Sequence, residues 1–318
     1  MKVLVVGFGS IAKKHLHNLR HLYPDVRLAV WCRPGKVRDC DGLEALFHQI
    51  DEVLAWRPEY VIVASPATLH AEHVVALAGL QVPMLVEKPL ASNLMEGQRL
   101  LAALQGPCLL GYQLRFTDGF LQLREWLPEL GALHLVRLEV GQYLPHWRPD
   151  TPVADMVSAN PELGGGALLE LSHELDLVSA LLGLPSRVYA AQAPISHLKL
   201  AVEECVELTL HYAQGPLVQV HLDMLQFKPC RQSKWLGAKG QLEWDMLQNR
   251  LCWYDAHGVL VQQMQGQSTP QQVAQRQLQA WIEQQSGAAT AAQGLNALRI
   301  VEAARLSMQS GCEVMVDA

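Results

Sequence analysis

Val3-Leu4-Val5-Val6-Gly7-Phe8-Gly9-Ser10-Ile11-Ala12 decides the fold: an apolar run breaks into Gly7-x-Gly9-x-x-Ala12 and then into an amphipathic segment. A strand, a tight turn and a helix in that order form a cradle for a dinucleotide pyrophosphate. The first glycine permits the turn, the second lets a phosphate approach the backbone, and the small third residue lets helix and strand pack closely. Amide groups at the start of the new helix, around Ser10, Ile11 and Ala12, then face the anion. Glycine also serves plain strand-to-helix connections, but here a strand precedes it and a helix follows, which favours the dinucleotide reading.

Working outward, apolar strand-like runs alternate with helical patterns over the first third of the chain. The strands are expected at Lys2 to Val6, Arg27 to Trp31, Tyr60 to Ala64, Met84 to Glu87 and Cys108 to Tyr112. This alternation predicts an α/β domain with a doubly wound, mostly parallel sheet. The first helix is carried by Ile11, His15, Leu16, Leu19 and Leu22 at helical spacing and ends by Pro24. From about Gly131 the pattern changes. One long glycine-punctuated helix is expected over Leu163 to Leu182, followed by an antiparallel meander of Val202 to Tyr212, Leu217 to Phe227, Ser233 to Leu236, Gln241 to Asp245 and Arg250 to Tyr254. Helices near Gln271 to Gln285 and Ala289 to Gln309 and a short strand Glu313 to Val316 complete the reading.

With 318 residues, 50% hydrophobic and 18% charged, the chain can bury a sizeable core and divide into two domains. A net charge of -6 offers no basic surface for nucleic acid or an anionic membrane, so neither partner is expected. The seven cysteines are odd in number, scattered and never in a C-x-x-C pair, which argues against a disulfide framework or a zinc site. A reducing cytoplasm is the expected compartment. The apolar run after Met1 is cut by Gly7, too short for a signal peptide, and no window reaches the length of a membrane span.

The second strand carries a clue to the dinucleotide. NAD sites usually end it with an acid for the ribose 2′-hydroxyl, whereas this strand ends Val30-Trp31-Cys32-Arg33 and continues with Lys36 and Arg38. Three cations suit a 2′-phosphate, with Arg33 stacking and hydrogen bonding, so NADP is expected ahead of NAD. A solvated basic loop, with Asp39 and Asp41 just beyond, is the alternative.

Two further runs, Ala64-Ser65-Pro66-Ala67-Thr68-Leu69-His70 and Glu87-Lys88-Pro89, place polar residues past the carboxyl ends of strands, where doubly wound folds bind ligands. Together with the amino-terminal glycine motif and the later helix Gly164-Gly165-Gly166 to His173-Glu174-Leu175-Asp176, the chain resembles the glucose-fructose oxidoreductase / inositol dehydrogenase / MocA oxidoreductases over essentially its whole length. The resemblance implies a Rossmann domain over 1–116 and an α+β domain with an open, mostly antiparallel sheet over 117–318. It also implies hydride exchange between a nicotinamide and a sugar-like alcohol carbon. Ser65, Pro66, His70, Glu87 and Lys88 join Gly7, Gly9, Ser10, Ile11, Ala12 and Arg33 as the expected cofactor-binding set.

Lys88 is also the expected proton handler, since an ammonium beside the nicotinamide stabilises a developing alkoxide or relays its proton. The resemblance suggests a cis peptide before Pro89. On a continuous helix Glu170, His173 and Asp176 fall within roughly 120° of one face, so one helix offers an imidazole flanked by two carboxylates. His173 is then the general base, with Glu170 and Asp176 as supporting acids. Relatives in the family commonly carry an aspartate four residues before this histidine; here that position is Leu169, and the nearest acid is Glu170.

Gly111 to Phe116 and Gly141 to Pro149 resemble members associated with bacterial surface-sugar biosynthesis. They contribute Tyr143 and Trp147 as faces for a sugar ring, and Arg115 and Arg148 for a carboxylate or phosphate. Packing at a domain or subunit seam is the alternative for the two aromatics. His15, His17 and His21 share one helix without a carboxylate or cysteine to complete a cage, and His70 and His73 lack a third ligand nearby, so no metal is expected. Val206, Leu208, Leu210 and Tyr212 alternate with Glu207, Thr209 and His211, leaving one sheet face that the resemblance assigns to a homodimer or homotetramer contact. Expected function is thus an NAD(P)-dependent oxidoreductase of a sugar, sugar acid or nucleotide sugar. The alternatives are reduction of a small cyclic ketone, diol or imine, and a non-catalytic dinucleotide-sensing regulator.

Overall fold

The computed structural model describes residues 1–35, 42–192, 196–285 and 287–317. In chain order its elements begin β1 (Lys2–Val6), α1 (Ser10–Leu22), β2 (Arg27–Trp31), β3 (Ala45–Phe47), α2 (Ile50–Trp56), β4 (Tyr60–Val63), α3 (His70–Leu77), β5 (Met84–Val86), α4 (Leu94–Ala103) and β6 (Cys108–Leu110). They continue with α5 (Asp118–Trp126), β7 (Leu133–Gly141), α6 (Ala167–Glu170), α7 (His173–Leu182), β8 (Arg187–Gln192), β9 (Cys205–His211), β10 (Leu217–Asp223), β11 (Cys230–Gly237), β12 (Gly240–Asp245), β13 (Arg250–Asp255) and β14 (Leu260–Gln265). The chain closes with α8 (Pro270–Ile282), β15 (Ala289–Thr290), α9 (Ala291–Ser310) and β16 (Val314–Met315).

Two compact units result. The first comprises Met1–Gln113 and Thr269–Leu295, the second Leu114–Ser268 and Asn296–Ala318. The sequence placed one boundary at 116/117, close to the first crossing, but the chain returns to the first unit at Thr269. An amphipathic helix such as α8 carries no mark of which core it joins. In the folded unit its Leu278 and Trp281 pack into the core that holds Val3, Val5, Leu16, Leu19 and Ile62. The Trp281 ring meets Tyr60 edge-on at 5.4 Å.

The first unit is built on a seven-stranded sheet of order β15-β6-β5-β4-β1-β2-β3. Every pair is parallel except β15 with β6, where Ala289 faces Leu110. Strand β1 lies between β2 and β4, and Val3 to Val6 are at most 1% exposed, as a strand covered on both faces requires. Strand order reverses beside β1, so the turn after it stands at the switch point of the sheet. The expected strands β4, β5 and β6 stop one or two residues early. Ala64, Glu87 and Gly111 still donate to Val6, Val63 and Val86 carbonyls, at 2.9, 2.9 and 2.8 Å, as the chain turns out into loops.

The second unit is built on a nine-stranded sheet of order β14-β13-β12-β11-β7-β10-β9-β8-β16. It is mostly antiparallel but not a simple meander: β7 inserts between β10 and β11, and Leu138 lies parallel beside Val220. The alternation Leu133-His-Leu-Val-Arg-Leu-Glu-Val carried that strand's signal. Strand β10 ends at Asp223 rather than Phe227, because an Asp223 carboxylate oxygen accepts from the amides of Leu225 and Gln226 at 2.6 and 2.8 Å, closing a turn. Val206, Leu208 and Leu210 are buried and Glu207 is exposed on the alternate face, as the pattern required.

The long helix expected over Leu163 to Leu182 is two helices, α6 and α7, joined at Leu171 and Ser172. Gly166 holds φ +105°, and a Cβ there would stand 2.6 Å from a Glu203 carboxylate oxygen. The glycines therefore belong to a loop rather than to the helix. Among the described residues no helix is long and apolar enough to cross a membrane.

Candidate active site in two parts

In the first unit, Gly7 takes φ +94°, and a Cβ on it would lie 2.8 Å from the Ala64 carbonyl oxygen. Only glycine lets the turn after β1 run this close to the end of β4. Gly9 caps α1 without a side-chain hydrogen bond, has open space where a Cβ would be, and no acid follows in the helix's first turn. Ala12 is fully buried, which seats the helix against the sheet. Glycine turn, open side and positive helix end together fit a bound pyrophosphate.

Past β4, Ser65 and Pro66 are half-buried, and the Ser65 hydroxyl is 2.9 Å from His73 Nδ1. The His73 ring also meets Trp31 edge-on at 5.0 Å. Burial, with the nearby His70 and Arg33 charges adding to it, takes the His73 ring down to about 4, so it is neutral near pH 7. Arg33 is exposed at the end of β2; Lys36 and Arg38, its expected companions, lie outside the described residues.

His70 is 1% exposed, with one ring nitrogen 2.9 Å from the Ser65 carbonyl oxygen and the other 3.0 Å from that of Pro89. Its polar atoms bridge two loop backbones rather than facing open space. Burial holds its ring below the ordinary histidine range. The Lys88–Pro89 peptide is cis, as the resemblance suggested. Glu87 is 7% exposed: one carboxylate oxygen accepts from His15 Nε2 at 2.6 Å and the other from the Lys88 amide at 3.3 Å. Lys88 itself is half-buried.

In the second unit, His173 is the half-buried first residue of α7. Glu170 ends α6, so the break between the helices removes the single face on which Glu170, His173 and Asp176 were expected. Asp176 is instead 1% exposed and accepts two hydrogen bonds from Arg115, at 2.9 Å from Nε and 2.7 Å from Nη2. Burial pushes the Asp176 carboxyl up while Arg115 opposes it. Glu174 is wholly buried and accepts from Arg231 of β11 at 2.7 Å. Two arginines thus pin the turn that begins at His173. Leu169 is 1% exposed, part of the apolar core.

Tyr143 stacks among His146, Phe227 and His197, with ring centroids 5.0, 4.6 and 6.3 Å away. The Trp147 indole donates to its own loop, to the Gln142 carbonyl at 3.1 Å, and Arg148 is exposed. Arg231, His197 and Phe227 were not singled out from the sequence, and His15 was weighed there for chemistry only as a metal ligand. Its readable sign is that of a polar residue on the apolar Ala12-Leu16-Leu19 face of its helix. Among the described residues no group of three or more His, Cys, Asp or Glu could hold a metal ion.

Comparison with known proteins matches both parts of the chain to family models. Residues 1–107 match the family model described as an oxidoreductase family with an NAD-binding Rossmann fold. Residues 120–243 match the GFO/IDH/MocA C-terminal domain. A myo-inositol dehydrogenase of Streptomyces leeuwenhoekii is 30% identical over 58% of this chain and 56% of its own length. A myo-inositol 2-dehydrogenase of Thermotoga maritima is 24% identical over 58% and 55%. The match thus spans little more than half the length of these two relatives. An inositol 2-dehydrogenase of Paenarthrobacter aurescens is 27% identical over 98% of this chain and 96% of its own. The fold is shared with the WlbA dehydrogenase of Bordetella pertussis, solved with NADH and UDP-GlcNAcA, at TM-score 0.82, 18% identity and coverage of 100% and 99%. It is shared also with a levoglucosan dehydrogenase solved with NADH and levoglucosan, at TM-score 0.87, 17% identity and full coverage of both chains.

Proposed function

Because the chain belongs to the GFO/IDH/MocA oxidoreductase family, with both of its units matched, we propose that it exchanges a hydride between a nicotinamide dinucleotide and a secondary alcohol or ketone carbon of a sugar or cyclitol. The observation that carries this reading is the loop after β5. Lys88 leaves the carboxyl edge of the parallel sheet from a backbone held on one side by His70 and on the other by Glu87. A loop so fixed suits a group that must meet a reacting oxygen within a fraction of an ångström.

When bound, the dinucleotide supplies the hydride donor or acceptor. Gly7, Gly9, Ser10, Ile11 and Ala12 would hold its pyrophosphate, and Arg33 a 2′-phosphate, which puts NADP ahead of NAD in our reading. The NADH complexes of two relatives in fold keep NAD as the competing form. Lys88 and His173 handle the alcohol proton, Lys88 by stabilising charge on the oxygen and His173 by taking or returning the proton. With Asp176 held by Arg115 and Glu174 by Arg231, the acid of this segment left to support His173 is Glu170. Tyr143, Trp147 and Arg148 contact the substrate. We place the protein in a reducing cytoplasm and its self-association on the open face of the second sheet.

A panel of inositols, aldoses, sugar acids and nucleotide sugars, each assayed with NAD and with NADP, tests the reading through reduced-nicotinamide absorbance. Turnover on a member of the panel, lost in Lys88→Met, supports it. Tight dinucleotide binding with no turnover on any member would point to the sensing role instead.

A further inference from the structure

Helix α1 buries Ala12, His15, Leu16, Asn18 and Leu19, and the three apolar side chains among these five belong there. His15 does not. An imidazole at 1% exposure on an apolar stripe costs stability unless a partner takes its N–H, and the partner here is Glu87, 7% exposed and 2.6 Å away. His17 and His21 on the same helix are exposed, so the pairing is specific to one position.

The surroundings of Glu87 make the pair more than ballast. Its second oxygen accepts from the Lys88 amide at 3.3 Å, and Gly111 lies so close that a Cβ there would stand 2.6 Å from that oxygen. The carboxylate is thus enclosed by α1, the loop after β6 and the backbone of the very residue assigned to proton handling. A buried carboxylate is stable in such a place only if its oxygens are well hydrogen-bonded. Across a contact this short and this dry, the His15 N–H gives one of them a strong, charge-assisted hydrogen bond.

We propose that His15 is a positioning residue for Lys88, acting through Glu87: by holding one oxygen of the buried Glu87 carboxylate, it keeps that carboxylate from drawing the neighbouring Lys88 ammonium to itself. The role assigned to Lys88 rests on the function proposed above, but the electrostatic relationship does not. Because α1 starts at the dinucleotide turn, the same hydrogen bond ties that helix to the Lys88 loop. Cofactor cradle and proton handler then share one strut.

The test is competitive acetylation of the whole protein with acetic anhydride, read by peptide mass spectrometry, with Lys13 and Lys234 as internal references. In His15→Leu the released Glu87 carboxylate holds the Lys88 ammonium, and labelling of Lys88 falls about tenfold relative to the references. Adding Glu87→Gln to that variant restores it. Unchanged labelling in a folded His15→Leu overturns the proposal. Should that variant not fold, Glu87→Gln alone decides: wild-type labelling of Lys88 supports a carboxylate already held by His15, whereas a tenfold change shows Glu87 acting on Lys88 despite His15 and overturns it. An inactive wild type showing the expected labelling pattern would sink the dehydrogenase reading and leave this one standing.

Discussion

Arg115 grips Asp176 with two parallel hydrogen bonds, 2.9 Å from Nε and 2.7 Å from Nη2, and the two side chains are 6% and 1% exposed. A guanidinium engaged in this way is not a docking group for a substrate anion, although its residue type and position suggested one. Removing one partner from a buried pair leaves the other uncompensated, so Arg115→Ala should cost about 3–5 kcal/mol of unfolding free energy. Arg115→Met with Asp176→Leu should recover most of it. Urea denaturation of the two variants beside the wild type measures both, and an Arg115→Ala protein of wild-type stability with weakened binding of acidic sugars would reverse the assignment.

Lys88→Met and His173→Gln should each lower kcat by about 10²- to 10⁴-fold, the range of a positioned proton-transfer group. Dinucleotide affinity, read by calorimetry, should move little in His173→Gln. A His173→Gln enzyme with unchanged kcat would remove the imidazole from the reaction and shift attention to Glu170.

The exposed guanidinium at the end of β2 sets a cofactor prediction. One charge-assisted hydrogen bond contributes about 1.5–3 kcal/mol. Arg33→Ala should therefore weaken NADP binding by about one to two orders of magnitude while leaving NAD within a few-fold. Equal losses for both dinucleotides would mean that Arg33 meets a part the two share.

Two histidines predict a stability maximum near neutrality. His73, taken down to about 4 by burial, is protonated in the unfolded chain first, near the ordinary 6.5, so stability should fall as pH drops from about 6.5 to 4. His221 is raised to about 9 by its hydrogen bond to Asp223 and by Glu207, at 2.8 and 2.5 Å. Its contribution is complete below about 6.5 and is lost as pH climbs through 9. Urea midpoints across the pH range should show both limbs. His73→Gln should flatten the acidic limb and His221→Gln the alkaline one; an alkaline limb that survives His221→Gln would locate the titrating group elsewhere.

The first unit was legible because its signals are local. Val3 to Ala12 gives strand, turn and helix within ten residues, and continuous apolar runs mark strands buried on both faces. What escaped the sequence was pairing across distance. Nothing near Leu133 announces that its strand will lie parallel to one 84 residues later. Nor does anything near Asp176 announce Arg115, or anything near His15 announce Glu87. The helix break at Leu171–Ser172 was hidden because Leu163 to Leu182 keeps an apolar helical pattern through it. The candidate site follows the same division: Gly7, Gly9 and Lys88 could be read from motifs, whereas the engagement of Asp176 and of the His70 ring needed the fold.

The return of Thr269–Leu295 to the first unit has a consequence for how this protein comes into being. A ribosome that has released residues 1–116 has made six of the first sheet's seven strands but neither β15 nor the helix that brings Leu278 and Trp281 to the core. The nascent unit must wait, with apolar surface uncovered, through the synthesis of some 170 further residues. At the usual pace of translation, roughly 5–20 residues per second, that is a delay of about ten to thirty seconds. A gene cut at the apparent domain boundary would make the delay permanent, so the cell is expected to treat such a fragment as a chaperone client rather than as a free-standing nucleotide-binding domain.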